Sequence, residues 1–268
     1  MKDILTKKPD LSSLSASELM EKLDPLRMPR HVAVIMDGNG RWAKQKGLPR
    51  IAGHKKGMET VKSVVTTASD LGIKALTLYA FSLENWRRPA REVEALMSLL
   101  TIYLQREIAM MNKNNIRFTA IGRLDDLPDE ARKWVEKAGR ETGSNTGMVL
   151  DLALSYGGRW EIMDAAKKFH RDILSGRINL DDIDEKTFSG YMNTAALPEL
   201  DLVIRTSGEQ RISNFLLWQA AYAELYFTEA LWPDFGDREL LAALVDYQSR
   251  ERRFGKTGEQ IIGREDAI

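Results

Sequence analysis

The chain has 268 residues, enough for one large or two ordinary domains, and its 43% apolar and 29% charged residues are a globular composition, neither disordered nor membrane-spanning. Lys plus Arg and Asp plus Glu both number 39, so the basic excess of a general nucleic-acid binder is missing; no nucleic-acid partner is expected, and any anion site must be local. Cysteine is absent, which excludes disulfides, thiolate zinc sites and cysteine nucleophiles.

Residues 1–30 are polar and rich in Ser and Lys, which predicts a loosely held arm with a short helix near 16–23. The opening stretch lacks the apolar core of a signal peptide, and no uncharged apolar run approaches the ~20 residues of a membrane span. A cytoplasmic protein is expected, with membrane contact peripheral if it occurs.

From His31 the pattern alternates. The runs VAVIM (32–36), ALTLYA (75–80), IRFTAIG (116–122), MVLDLAL (148–154) and LVIRT (202–206) are rich in β-branched residues, as buried parallel strands are. Between them, Val61, Val64, Val65, Ala68 and Leu71 repeat at helical spacing. Leu96, Leu100, Leu104 and Ile108 do the same, as do Ile162, Ala165, Ala166 and Phe169. Strand alternating with helix predicts an α/β fold with a parallel sheet, in a single domain over 31–268.

In such sheets ligands bind beyond the carboxyl ends of the strands. The segments there are DGNGRW (37–42), FSLENWRRP (81–89), SYGGRW (155–160) and RTSGEQR (205–211). Asp37 ends the first apolar run and is either a helix cap or a metal-binding carboxylate. Gly38 and Gly40 permit close backbone approach to a ligand, and Arg41 adds a cation that can bind phosphate bidentately. A carboxylate beside a phosphate cradle makes sense with a cation between them, and Mg²⁺ suits carboxylate plus phosphate oxygens. Arg50 and His54 follow within reach in sequence. Ser82, Glu84, Asn85, Trp86, Arg87 and Arg88 form a dense loop closed by Pro89. Arg205, Arg211 and Ser213 surround a Ser-Gly turn, a reasonable second phosphate site. Glu224, within the apolar AYAELYF, requires a partner or a metal. The DDLPD segment at 125–129 imitates a helical metal motif, but Pro128 interrupts it and predicts a loop and helix start.

As a set, MDGNGRWA, RxxGHKxG, LYAFSLENWRRP, YGGRW and RTSGEQRISNFLLWQ followed by AYAELYF resemble the cis-prenyltransferase family, from about His31 to Phe254. The resemblance implies a six-stranded, mainly parallel sheet flanked by helices, with an apolar tunnel for a growing chain. It implies a Mg²⁺-dependent homodimer that condenses isopentenyl diphosphate repeatedly onto an allylic diphosphate such as farnesyl diphosphate. The product would be a long cis-polyprenyl diphosphate such as undecaprenyl diphosphate, a lipid carrier for cell-wall glycans.

By the same resemblance, Asp37 holds Mg²⁺, and Gly38, Asn39, Gly40 and Arg41 cradle the allylic diphosphate with Arg50 and His54. Trp42, Ser82, Leu83, Glu84, Trp86 and Arg88 line the substrates, and Asn85 helps remove the proton. Arg205, Arg211, Ile212 and Ser213 take isopentenyl diphosphate, and Glu224 is a second metal-linked carboxylate. The helix over 91–111 and the strands around Ala80 and Met148 are expected to wall the tunnel. One departure stands out: Gln210 occupies a position where some members have His. Two alternatives remain. A non-catalytic phosphate-binding partner subunit would lack the aspartate motif, which this chain has. A nucleotide binder would show a G-x-x-x-x-G-K-[ST] loop, which it lacks.

Overall fold

The computed structural model describes residues 11–250. In chain order its elements are α1 (Ala16–Lys22), β1 (His31–Ile35), α2 (Asn39–Gln45), α3 (Arg50–Asp70), β2 (Ala75–Ser82), α4 (Ala90–Lys113), β3 (Arg117–Ile121), α5 (Asp129–Thr142), β4 (Val149–Tyr156), α6 (Gly158–Leu174), α7 (Glu185–Ser189), β5 (Leu202–Arg205), β6 (Glu224–Phe227) and α8 (Asp237–Gln248). All six strands run parallel, in the order β3-β4-β2-β1-β5-β6.

The five apolar runs all become strands, for the reason their composition suggests: a parallel strand covered on both faces needs apolar side chains in both directions. β1 and β4 are buried along their whole lengths. On one face Val32, Val34, Leu76, Leu78, Leu150 and Leu152 pack with apolar residues of α3, α4, α5 and α8. On the other, Ala33, Ile35, Ala153, Val203 and Tyr156 meet Phe215 and Leu216. β6 is a sixth strand that no long apolar run announced. It is one edge of the sheet, only half-buried, and begins on a glutamate.

The segment before β1 is docked over its described part. Ser15 and Glu18 form a capping box at the start of α1, and Leu19 is fully buried against Leu241, Ala242 and Val245 of α8. The DDLPD segment forms a 3-10 turn and the first residue of α5, with Asp126 paired to Arg123 and Asp129 to Arg132.

Two features of this frame place the site. The strand order reverses direction at β1, whose neighbours are β2 on one side and β5 on the other, so the residues after β1 open into the crevice such a reversal creates. In β2 the register against β4 steps from Tyr79–Ala153 to Phe81–Leu154, leaving Ala80 unpaired in a bulge. Bulges re-aim side chains beside binding sites, and Ala80 lines the cavity described below.

Candidate active site

Asp37 leaves β1 two residues beyond Ile35 and is fixed by its own backbone, whose carbonyl accepts from the Thr206 hydroxyl and the Trp232 N–H. Its carboxylate meets three donors. Oδ1 accepts from the Gly38 N–H at 2.7 Å; Oδ2 accepts from Arg205 Nη2 at 3.1 Å and Arg41 Nη2 at 3.3 Å. Burial works against its charge, but the Arg205 hydrogen bond and the Arg41 and Arg205 charges outweigh it and hold the carboxyl below its usual range. Asp37 is therefore an ionised oxygen donor still a third open to solvent.

Glycine makes the following turn possible. Gly38 has φ +109°, and a Cβ there would stand 3.0 Å from Leu231 Cα. Further on, a Cβ at Gly53 or Gly57 of α3 would strike the Asn39 carbonyl or the Asn39 side chain. These two glycines, one helical turn apart, let the start of α2 lie directly on α3. That contact brings Arg50 and His54 to the Asp37 turn, with Gly40 against the Arg50 guanidinium.

Arg50 and Arg88 both pair with Glu92, at 3.5 and 3.1 Å, so the first turns of α3 and α4 are joined by one carboxylate that sequence reading overlooked. His54 stands beside them. Burial and the Arg88 charge lower its pKa to about 4, so the ring is neutral at physiological pH, and its Nε2 is buried without a hydrogen-bond partner.

Arg205, only 4% exposed, links two parts of the site. Beyond Asp37, it donates through Nη1 to the Arg211 carbonyl and the Ser213 hydroxyl. The Asp37 turn and the loop carrying Arg211, Ile212 and Ser213 are thus contiguous, not independent. Glu209 strengthens the junction, pairing with Arg41 at 3.4 Å and with Arg211.

The loop after β2 is anchored from below. The Asn85 Oδ1 accepts from the Ser82 N–H at 3.1 Å, and Trp86 donates to the Ser155 hydroxyl at 2.8 Å while packing edge-on to Phe81. Leu83 lies against Gly157, and Glu84 accepts from Asn214 at 3.0 Å.

Between the sheet and helices α3 and α4 lies a cavity of about 180 Å³. Asn39, His54, Asn85 and Arg88 form its polar part. Met58, Val61, Leu78, Ala80, Leu96, Leu100, Tyr103, Leu152 and Leu154 form its apolar walls. Met148, expected at this wall, instead precedes the far end of β4 and is buried in the main core.

Two site expectations meet a different geometry. Trp42 is buried between α2 and the segment at 232–234, with its indole N–H on Asp234 Oδ1 at 2.8 Å, and it does not line the cavity. Glu224 pairs in register with Leu202 at the opposite end of the sheet from Asp37, and it binds Arg250 Nη1 at 2.8 Å. Within one chain Glu224 and Asp37 cannot share a metal. Among the described residues no three His, Asp or Glu side chains gather to hold a metal ion on their own. Gln210 is exposed on the loop between Glu209 and Arg211.

The family described as "Putative undecaprenyl diphosphate synthase" matches residues 35–255 of the chain. An isoprenyl transferase of Heliobacterium mobile is 52% identical over 244 residues, 91% of this chain and 94% of the relative. A ditrans,polycis-undecaprenyl-diphosphate synthase of Vibrio parahaemolyticus, farnesyl-diphosphate specific, is 51% identical over 87% of this chain and 93% of its own. The crystal structure of lavandulyl diphosphate synthase from Lavandula x intermedia, in complex with dimethylallyl diphosphate, superposes with a TM-score of 0.83 at 40% identity, covering 85% of this chain and 99% of that one. With an ionised aspartate among arginines, flanked in the chain by the cavity-lining Met36 and Asn39, and with this degree of likeness over nearly all the described residues, the chain belongs to the cis-prenyltransferase family of undecaprenyl diphosphate synthases.

Proposed function

We propose that the chain lengthens farnesyl diphosphate by repeated cis addition of isopentenyl diphosphate, with both diphosphates bound around Asp37 and the growing hydrocarbon lodged in the cavity between β2, α3 and α4. The observation that carries this reading is the juxtaposition of the Asp37–Arg41–Arg205 cluster with that apolar cavity, whose polar part holds Asn39, His54, Asn85 and Arg88.

The allylic diphosphate is assigned to the turn Gly38, Asn39, Gly40 and Arg41, where the first N–H groups of α2 have no partner within the helix. Arg50, Arg88 and neutral His54 adjoin it, and the buried His54 Nε2 has no hydrogen-bond partner in the protein. Isopentenyl diphosphate is assigned to Arg211, Ile212 and Ser213, with Arg205 holding that loop to Asp37. Mg²⁺ suits the site: Asp37 offers a hard, ionised oxygen, and with no protein cage beside it among the described residues, diphosphate oxygens and water would complete the ion's ligands. Bound there, the ion would neutralise charge on the departing diphosphate.

In the condensation, the C1–O bond of the allylic diphosphate breaks as the alkene of isopentenyl diphosphate forms a new bond to C1, and a proton then leaves the adduct. The alkene is neutral and needs no protein nucleophile. Arg41, Arg50 and Arg88 stand where negative charge develops on the leaving oxygen. Asn85 is too weak a base to take the proton itself. With its Oδ1 held on the Ser82 N–H, its amide N–H groups remain to orient a phosphate oxygen or water that does. Ser82, Leu83, Glu84 and Trp86 do not line the cavity themselves but hold the turn that carries Asn85 and Arg88 into it.

A homodimer accommodates Glu224: as a metal-linked carboxylate it would have to reach an Asp37 in a second copy. The apolar product leads to peripheral contact with a membrane at release, and no helix among the described residues is long and apolar enough to cross one. Incubation with farnesyl and isopentenyl diphosphates and Mg²⁺, with chromatography of the dephosphorylated products, tests the reading. A ladder of cis-prenyl alcohols supports it, and no incorporation refutes it.

A further inference from the structure

Asn214 stands where three parts of the site meet, and nothing above gives it a role. Its Oδ1 accepts from the Arg159 N–H at 2.9 Å, which settles the orientation of the amide, and its Nδ2 therefore donates to Glu84 Oε1, at 3.0 Å. Its backbone carbonyl accepts from the Gly158 N–H at 2.7 Å. Glu84 belongs to the turn after β2, Gly158 and Arg159 open α6, and Ser213 directly precedes Asn214. The packing is close: a Cβ at Gly157 would stand 2.8 Å from Asn214 Nδ2, a reason for glycine in YGGRW.

The backbone here is held under strain. Ser213, Asn214 and Leu216 have φ of 46°, 61° and 43°, left-handed values that non-glycine residues keep only where their surroundings enforce them. Asparagine tolerates this region best. The anchors enforcing it are the three hydrogen bonds of Asn214 and the stacking of Phe215 on Tyr79, 4.3 Å between ring centroids. Ser213, between Asn214 and the buried Arg205, has its hydroxyl placed by both.

We infer that Asn214 is a positioning residue that locks Ser213 and the Glu84 turn to one another, setting the isopentenyl diphosphate loop against the allylic side of the pocket. This rests on the assignment of Arg211 and Ser213 to isopentenyl diphosphate. Asn214→Asp keeps the shape and the Arg159 acceptor but turns a carboxylate oxygen toward Glu84. It should raise the KM for isopentenyl diphosphate about tenfold or more, as loss of a hydrogen bond to a charged group does, and leave the KM for farnesyl diphosphate within about threefold. Glu84→Gln in the same chain restores a donor–acceptor pair with its direction reversed. On that background Asn214→Asp should cost less than about threefold, a coupling that general loss of structure would not produce. Asn214→Gly, which suits the left-handed backbone and removes both side-chain bonds, should raise the same KM and serves if the aspartate variant does not fold. An unchanged KM in the folded variants, or an equal cost on both backgrounds, overturns the inference. Arg211→Ala run alongside separates the failures. If it raises the KM for isopentenyl diphosphate and Asn214→Asp does not, only the role of Asn214 falls. If neither does, the loop assignment falls as well.

Discussion

Arg205 Nη2 lies 3.1 Å from Asp37 Oδ2, joining the carboxyl ends of adjacent strands β1 and β5 through a guanidinium that is almost wholly buried. The same guanidinium reaches back to the Arg211 carbonyl and the Ser213 hydroxyl. The site is thus organised around an internal ion pair, and chemistry and architecture meet at one residue.

Asp37→Ala should accordingly do two things. Turnover should fall on the order of 10²–10³-fold, the scale of losing a principal electrostatic stabiliser of a leaving group. Stability should fall by about 1–3 kcal/mol, because Arg205 loses its carboxylate, although the solvent-open side of Asp37 keeps the cost below that of a wholly buried pair. Steady-state kinetics and urea denaturation measure the two. Near-normal turnover in a folded variant would remove Asp37 from the chemistry.

The two arginines of the RTSGEQR segment should behave differently. Arg211 is exposed, with its guanidinium paired to Glu209, so Arg211→Ala should raise the KM for isopentenyl diphosphate by the equivalent of about 1.5–3 kcal/mol and spare that for farnesyl diphosphate. Arg205→Ala should lower kcat as well, since it frees both Asp37 and the Ser213 loop. Equal effects of the two substitutions on both substrates would contradict the division of roles.

Much of this was visible before any coordinates. The five apolar runs and the polar segments after them marked the strands and the crevice, because burial on both faces leaves a compositional trace. β6 left only a weak one, the apolar AYAELYF around Glu224: an edge strand of four residues starting on a glutamate has neither the length nor the full burial to read as a strand. Strand order was equally hidden, since periodicity says nothing about which strands are neighbours, and so the direct Arg205–Asp37 contact could not be foreseen. The expectation that Trp42 lines the substrates rests on the family resemblance alone. Trp42 lies buried one turn into α2 with its N–H on Asp234 and does not line the cavity, a placement that only the packing of α2 against the 232–234 segment determines. Glu92 belongs to none of the motifs singled out in the sequence, yet it pairs with both Arg50 and Arg88.

The bulge at Ala80 yields a length prediction. Ala80 is unpaired in β2 and lines the cavity opposite Leu96 and Leu100 of α4. Ala80→Leu adds three carbon atoms to a space where each added isoprene unit gains roughly 0.8 kcal/mol per buried CH₂. The product distribution should shift to shorter chains while the first condensation keeps its rate. Unchanged chain length, or loss of the first condensation with no shorter product, would mean that Ala80 does not bound the growing chain.

A buried carboxylate away from the site gives a pH prediction. Asp151 on β4 is fully buried, and burial raises its pKa to about 6 against the hydrogen bonds from Thr119 and Thr77. A raised folded-state pKa means that the protonated form is favoured by folding. Ionisation therefore costs nothing below the unfolded value near 3.8, and the cost is complete above about pH 6. Asp151→Asn should stabilise the protein by up to about 3 kcal/mol at pH 7–8, with the gain fading toward pH 4. Thermal melts across that range measure it; a gain independent of pH would show that charge is not its cause.

The central claim, that the Asp37 cluster and the adjoining cavity together perform repeated condensation, is met most directly by one experiment. Farnesyl diphosphate, labelled isopentenyl diphosphate and Mg²⁺ are incubated with the wild-type chain and with Asp37→Ala, and the dephosphorylated products are analysed by chromatography and mass spectrometry. The account predicts a long cis-prenyl alcohol built from many isopentenyl units with the wild-type chain, and almost none with the variant. A wild-type chain that incorporates no label or stops after one addition, or a folded variant that makes the same long product, would contradict it.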